Sequence, residues 1–133
     1  AVPKKQIDKW VSNLIVKHWD GSDQMEKIYE QASIVCLPSH HEGLPKVLLE
    51  GASSARPLVA FDIPGCREII INGKNGFLVD FGDEIKLEKT LIKLIRNKEL
   101  QKKMGIKGRE IVEKKFSSDI INKQVFKIWD ELI

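Results

Sequence analysis

The segment SIVCLPSHHEGLPKVLLE, residues 33–50, decides the fold class of this 133-residue chain. Its first five residues form a nearly continuous apolar run, which is typical of a strand covered on both faces of a parallel sheet. The polar loop 38–43 interrupts this run, and a helix is predicted over residues 45–55 because Pro45 suits the first helical position. A buried strand followed by a loop and a helix is the repeating unit of an α/β domain.

The same alternation of apolar runs and helical patterns continues on both sides of that segment. Short apolar runs predict strands at residues 14–16, 58–61 and 77–79, and NGKNG at 72–76 is a dense turn signal before the last of them. Helices are predicted over 24–31 and throughout the last third, where apolar residues recur at helical spacing: Leu87, Leu91, Leu94 and Ile95, then Leu100, Met104 and Ile111, then Ile121, Val125, Ile128 and Leu132. We therefore expect a parallel sheet with flanking helices, ending in C-terminal helices.

Composition and charge narrow the classes of function that this chain can have. Hydrophobic content of 42% and charged content of 31% are ordinary for a single globular domain. The net charge of +3 is spread along the chain, so nucleic acid is not an expected partner, whereas weak attraction to an anionic membrane surface is compatible with it. No apolar stretch approaches the roughly 20 residues that a membrane span needs, no signal peptide is expected, and Cys36 and Cys66 lack metal-site spacing. A cytoplasmic location is expected.

Two glutamates, Glu42 and Glu50, bracket the start of the predicted helix with seven residues between them. Parallel sheets bind ligands beyond the carboxyl ends of their strands, and Glu42 lies in a loop at such an end. The helix N-terminus between the glutamates suits a diphosphate. One ligand with sugar hydroxyls at one end and ribose hydroxyls at the other would satisfy both carboxylates. The alternative is that both are solvated, with Glu50 paired only to Lys46 four residues earlier.

Residues 33–50 resemble the EX7E region of the family 4 retaining glycosyltransferases. The similarity continues through RPLVAFDIPGCRE at 56–68 and NGKNGFLV at 72–79, and it covers about residues 20–133. The subgroup that this chain most resembles builds bacterial surface polysaccharides on lipid carriers. The resemblance implies the GT-B fold, in which two Rossmann-like domains enclose the active site, and this chain is similar to most of the C-terminal, donor-binding domain. The predicted sheet is therefore of the Rossmann-like type.

The resemblance also implies roles for individual residues. Glu42, the candidate catalytic residue, would touch the donor sugar near its 3-hydroxyl, and the backbone amides of Gly43, Leu44 and Pro45 would face the sugar and diphosphate. Glu50 would accept hydrogen bonds from the ribose hydroxyls. Family 4 enzymes are thought to let the nucleotide depart from the front face, with the leaving phosphate helping to deprotonate the acceptor, so Glu42 is a sugar-binding group and not a nucleophile. No cofactor and no metal are expected beyond the nucleotide-sugar donor, which is expected to be UDP-linked.

The family also uses parts that we do not expect within these residues. An Arg and a Lys on the diphosphate would precede Ala1, and so would the acceptor domain. We therefore expect residues 1–133 to be one nucleotide-sugar-binding domain, truncated at its N-terminal side and inactive alone. The acceptor, a saccharide or lipid-linked molecule, would be bound by the missing domain, and the protein would be cytoplasmic or peripheral at the inner face of the plasma membrane.

Several residues around the motif have weaker predictions. His40 and His41 are adjacent, with no third ligand in sequence range, so they indicate loop polarity and not a metal site. Arg67 either meets a phosphate at the cleft edge or pairs with Glu68 or solvent. Gly51 and Ala55 stand where the family more often has Ala and Gly, and Gly51 should weaken its helix by up to about 1 kcal/mol.

Two other functions remain open on the sequence. One keeps the fold and changes the chemistry, as in nucleotide-sugar epimerases, although the spacing of Glu42, Gly43, Pro45 and Glu50 favours a transferase. The other is a non-enzymatic Rossmann-like interaction module, which would need acidic or phosphate-accepting residues at the first strand ends. The sequence around residues 17–20 does not supply a convincing set.

Overall fold

The computed structural model describes residues 25–39 and 43–115, together with Lys5. Its elements, in chain order, are helix α1 (Met25–Gln31), strand β1 (Val35–Leu37), helix α2 (Lys46–Ser53), strand β2 (Leu58–Phe61), helix α3 (Pro64–Arg67), strand β3 (Gly76–Val79), helix α4 (Glu84–Ile95) and helix α5 (Lys98–Lys115). The predicted strand at 14–16 and the final helix beyond residue 120 lie outside the described residues, as do Trp10, Trp19 and Trp129.

The three described strands form a parallel sheet in the order β1-β2-β3, so the α/β prediction is confirmed. Register pairs Val35 with Leu58 and Leu58 with Gly76. β1 is shorter than the run predicted at 33–37, because β2 begins only after Pro57, whose ring nitrogen has no hydrogen to extend the ladder. The Pro57 carbonyl still accepts a hydrogen bond from the Val35 amide at 2.9 Å.

Both faces of the central strand β2 are covered, as its continuous apolar sequence predicts. Successive side chains of a strand point to opposite faces. Leu58 and Ala60 therefore enter a core under α1, α2 and α3, while Val59 and Phe61 enter a second core with α4 and α5. All four are at most 3% exposed, so β2 sits at the centre of the described part of the domain.

Two helical glycines allow helices to approach their neighbours closely. A Cβ on Gly51 would lie 2.9 Å from Cγ2 of Val35 and 3.0 Å from Cδ2 of Leu58. A Cβ on Gly105 in α5 would lie only 2.0 Å from the Ala55 carbonyl oxygen. The glycines that lower the intrinsic helix propensity thus permit α2 to pack on the sheet and α5 to pack on the end of α2.

α2 ends earlier than the predicted residue 55, because Ala55 has φ of +56°. This left-handed conformation costs an L-residue with a Cβ roughly 1–2 kcal/mol. The Ala55 amide still donates to the Ala52 carbonyl at 3.0 Å, and the Arg56 amide donates to Gly51. The turn out of α2 is therefore built with a residue that does not favour it.

We expect Ala55→Gly to raise the free energy of unfolding by about 1 kcal/mol, because glycine adopts positive φ without a Cβ clash. Urea denaturation of the chain measures it. Ala32→Gly is the matched control, since Ala32 does not have a positive φ and should lose stability on the same change. Equal destabilisation by both substitutions would contradict the strain at Ala55.

Candidate functional site

The carboxyl ends of β1 and β2 lie at one edge of the sheet, since the two strands are parallel. The loop after β1 leaves this edge and leads into α2. Gly43 and Leu44 in this loop are exposed, with Leu44 48% exposed, whereas Pro45 is fully buried. Two predicted site residues therefore face solvent at the edge where open parallel sheets bind ligands.

Pro45 is the N-cap of α2 and not its first helical residue, which corrects the predicted start by one position. Its φ of −75° and ψ of 108° are extended, and its carbonyl accepts from the Leu48 and Leu49 amides at 3.1 and 3.2 Å. Proline has no N–H, so Pro45 cannot donate a hydrogen bond to a ligand, in contrast to Gly43 and Leu44. Its role at the site is to fix the start of the helix.

Pro45, the N-cap residue of α2, makes no side-chain hydrogen bond to the first amides of the helix. Pro45 has no polar group to offer, and the first turn contains no acidic residue. The first amides of a helix lack intrahelical partners and carry a partial positive charge. This end of the eight-residue helix is therefore chemically suited to an anionic group placed beside Gly43 and Leu44.

Glu50 lies in the middle of α2 with its side chain only 11% exposed. Its Oε1 is 3.4 Å from Nζ of Lys46, so the predicted pairing of these two residues is confirmed. Oε1 nevertheless has no hydrogen-bond partner among the described residues. A carboxylate usually accepts several hydrogen bonds when it is withdrawn from water, so Glu50 has unused capacity to accept them. The alternative of a fully solvated glutamate is wrong for this residue.

Tyr29, which the sequence interpretation did not single out, shares the surroundings of Glu50. The residue is 5% exposed, and its hydroxyl also has no hydrogen-bond partner among the residues that the structure describes. Burial, and after it the nearby Glu50 carboxylate, raises the pKa of Tyr29 above its ordinary value of 10.0. A single tyrosine on α1 gives no sequence signal for this proximity, because 21 positions separate it from Glu50.

The raised pKa of Tyr29 makes a prediction about alkaline stability. The native state holds the phenol proton more tightly than the unfolded chain, so this contribution is complete below about pH 10 and is lost as the pH rises further. We expect the chain to lose up to about 1.4 kcal/mol of unfolding free energy per pH unit above pH 10 through this group. Tyr29→Phe should remove that part of the loss. Urea unfolding at pH 9, 10 and 11 tests this, and parallel pH profiles of the two proteins would refute it.

Arg67 lies at the end of α3, on the same edge of the sheet as the α2 N-terminus. Its Nε donates to Oδ1 of Asp62 at 2.6 Å, and its side chain is 57% exposed. Pairing with Glu68 was the wrong interpretation, because Glu68 instead meets Nζ of Lys115 at 3.2 Å. Asp62 directly follows β2, so the ion pair holds Arg67 near the strand ends and leaves much of the guanidinium accessible.

The remaining predicted site residues lie outside the described part of the chain. These are Glu42, His40 and His41, so the position of the Glu42 carboxylate stays a prediction. Among residues 25–39 and 43–115, no three His, Cys, Asp or Glu side chains cluster in a way that could hold a metal ion. None of the described helices is long and apolar enough to cross a membrane.

Comparison with known proteins relates this chain to one protein family. Residues 5–111 match the model of the family described as "Glycosyl transferases group 1". An uncharacterized glycosyltransferase of Methanocaldococcus jannaschii is 34% identical, with the alignment covering 96% of this chain and 38% of the relative. The capsular polysaccharide biosynthesis glycosyltransferase CapM of Staphylococcus aureus is 32% identical over 90% of this chain and 29% of its own length. The chain thus spans about a third of the length of these relatives.

Solved structures similar to this chain support the α/β fold described above. A mutant of S. aureus TarM, crystallised with fondaparinux, alpha-GlcNAc-glycerol and UDP, superimposes with a TM-score of 0.80 at 27% identity, over 97% of this chain and 26% of TarM. Anabaena HepE in complex with UDP-glucose has a TM-score of 0.78 at 21% identity, over 96% of this chain and 36% of HepE. The second similarity supports the Rossmann-like fold alone.

Proposed function

Because the chain belongs to the glycosyl transferases group 1 family, we propose that it forms the nucleotide-sugar-binding part of a retaining glycosyltransferase. In this proposal the enzyme is of the family 4, EX7E type and moves a sugar from a UDP-linked donor to a saccharide or lipid-linked acceptor. Residues 1–133 act as the donor domain, and a separate domain binds the acceptor. The observation that carries the proposal is the buried Glu50 carboxylate, whose Oε1 has no hydrogen-bond partner among the described residues. It lies in a helix that its N-cap residue Pro45 does not cap with a side chain, at the carboxyl edge of a parallel sheet.

Each part of the donor has a group that suits it chemically. The free amides at the start of α2, with those of Gly43 and Leu44, suit the diphosphate, whose charge favours a helix N-terminus. Glu50, deeper in α2, suits the ribose hydroxyls because it can accept their hydrogen bonds. Glu42, in the loop, would bind the donor sugar near its 3-hydroxyl. The presence of UDP in the TarM structure supports uridine as the base.

The proposed chemistry relies on orientation and charge stabilisation. The bond between the anomeric carbon and the diphosphate oxygen breaks, and the acceptor oxygen attacks from the same face. The departing diphosphate receives the acceptor proton, and the helix N-terminus stabilises the negative charge that develops on it. Glu42 holds the sugar in place, so no glycosyl-enzyme bond is formed. Neither an epimerase nor a non-enzymatic module is favoured, because the family and its named relatives are transferases.

The test is a titration of the chain with UDP, followed by amide NMR shifts. We expect shifts confined to residues 39–50 and 65–68, at millimolar UDP, because these segments contain the proposed donor site. Uridine without phosphates is the matched ligand control and should leave the α2 amides of Lys46 and Val47 unshifted. UDP-induced shifts centred on α4 and α5 instead would contradict the assigned site.

A further inference from the structure

The outer face of α4 carries three exposed isoleucines beside a row of lysines. Ile85, Ile92 and Ile95 are 70%, 39% and 58% exposed. Their spacing of seven and three residues places them in one stripe along the helix, over about 15 Å. The helix is anchored to the second core by Leu87, Leu91 and Leu94, so this stripe points away from the domain. We call the isoleucine stripe and the lysines beside it the α4 surface.

The lysines of the α4 surface are Lys86, Lys89 and Lys93. They line a groove of about 540 Å³ between α4 and the edge strand β3, and the lining of this groove contains no carboxylate. Lys93 also lies over the Phe77 ring, with Nζ 5.5 Å from its centroid. None of the three forms an ion pair with a carboxylate of residues 27–39 or 43–115.

On the neighbouring helix α5, three basic residues form ion pairs, whereas Lys98, Lys102 and Lys103 form none with a described carboxylate. Lys107 pairs with Glu110 at 3.7 Å, Arg109 with Glu113 at 2.9 Å, and Lys115 with Glu68 at 3.2 Å. The α4 surface is distinguished by placing three lysines without described carboxylate partners beside three exposed isoleucines, whereas the described part of α5 exposes Ile106 as its one large hydrophobic side chain. The acidic residue within the isoleucine stripe is Glu88, between Ile85 and Ile92.

We infer that the α4 surface docks on an anionic phospholipid bilayer. Lysines beside exposed aliphatic side chains are the pattern of helices that lie in a membrane interface, where the apolar residues enter the headgroup region and the cations meet lipid phosphates. A protein partner fits less well, because lysine is depleted in protein interfaces and a stripe of three isoleucines is far smaller than the usual ~800 Å² per partner. Charge complementarity thus selects the lipid surface.

The N-terminal end of α4 follows β3 after four residues, so Ile85 lies near the edge of the sheet that holds the candidate donor site. Docking through α4 would bring that edge to the membrane surface. Its use in reaching lipid-linked acceptors rests on the proposed function, whereas the binding to lipid does not.

The experiment is co-sedimentation of the chain with vesicles of phosphatidylcholine containing 30% phosphatidylglycerol. We expect binding to these vesicles at low salt, and none to pure phosphatidylcholine vesicles. The triple substitution Lys86→Gln, Lys89→Gln and Lys93→Gln should weaken binding at least about 10-fold, since each basic residue near such a surface contributes about a factor of 5. The matched control is Lys102→Gln, Lys103→Gln and Lys107→Gln on α5, which changes the net charge equally and should retain most of the binding.

A second measurement does not depend on any variant. With anionic nanodiscs, the methyl NMR signals of Ile85, Ile92 and Ile95 should broaden, while those of buried Ile69 and Ile70 should broaden less. Equal losses for the two triple variants, absence of vesicle binding, or self-association through α4 without vesicle binding would each overturn the inference. UDP shifts should be unchanged in the α4 triple variant, so a failed donor site and a failed membrane surface are distinguishable.

Discussion

Gly105→Ala is expected to lower the free energy of unfolding of this chain by roughly 2–3 kcal/mol, the upper range for overpacking. The added methyl would lie 2.0 Å from the Ala55 carbonyl oxygen and 2.7 Å from its carbonyl carbon. These are backbone atoms, so no side chain can rotate away and α5 must shift. The gain in helix propensity from glycine to alanine, about 1 kcal/mol, offsets only part of this loss.

Gly108→Ala is the matched control in the same helix. Its added Cβ would meet the Cβ of Asn75 at 3.3 Å and that of Ala52 at 3.9 Å, distances that small adjustments accommodate. Urea or thermal denaturation should therefore show a much smaller change, because the propensity gain opposes a mild contact. If Gly105→Ala proved as stable as the unsubstituted chain, α5 would not approach the end of α2 as closely as described.

Glu50→Gln is expected to raise the apparent donor KM of the full-length enzyme roughly 10- to 100-fold, with a smaller effect on kcat. The substitution keeps the volume of the side chain but removes the charge that would accept the ribose hydrogen bonds, and such charged hydrogen bonds contribute about 1.5–3 kcal/mol. Glu50 would touch the nucleotide away from the reacting carbon, so ground-state and transition-state binding should weaken together.

Initial rates over a range of UDP-sugar concentrations measure this effect. Glu113→Gln provides the control, since Glu113 is an exposed glutamate paired with Arg109 on α5 and its loss should leave donor kinetics unchanged. Unfolding measurements on both variants separate a lost contact from a lost fold. An unchanged donor KM in a folded Glu50→Gln enzyme would refute the nucleotide-binding role.

The strands were predictable because a short, continuous apolar run is itself the signal of a strand covered on both faces. The run at 58–61 needs two covered faces, and the structure covers both. The turn at residues 72–76 was also predictable from its composition, although the role of its buried asparagine was not. Asn75 is fully buried, accepts a hydrogen bond from the Ile71 amide at 2.8 Å and donates one to the Ile69 carbonyl at 2.9 Å. Composition predicts a turn there, but not which side chain organises it.

The errors of the sequence interpretation fell where the contact partner is not the adjacent residue or where backbone conformation overrides residue type. Pro45 was placed inside the helix because proline favours the first turn, whereas it caps α2 from outside. One predicted partner of Arg67 was its sequence neighbour Glu68, but in the structure Arg67 forms its ion pair with Asp62. The left-handed conformation of Ala55 was not predicted, since alanine disfavours it, although the resembled family more often has glycine there.

For the candidate site, the sequence by itself determined the order of strand, loop and helix, and with it the placement of Gly43, Leu44 and Pro45 beyond a strand end. Hydrophobic periodicity and turn-forming residues depend only on neighbouring positions, so the sequence alone is enough to predict these elements. Only the tertiary structure decided that Glu50 is buried, that Tyr29 shares its surroundings and that the lysines of α4 have no described carboxylate partners. Burial, pKa values and ion pairing depend on which distant segments come into contact, and a local sequence pattern carries no information about those contacts.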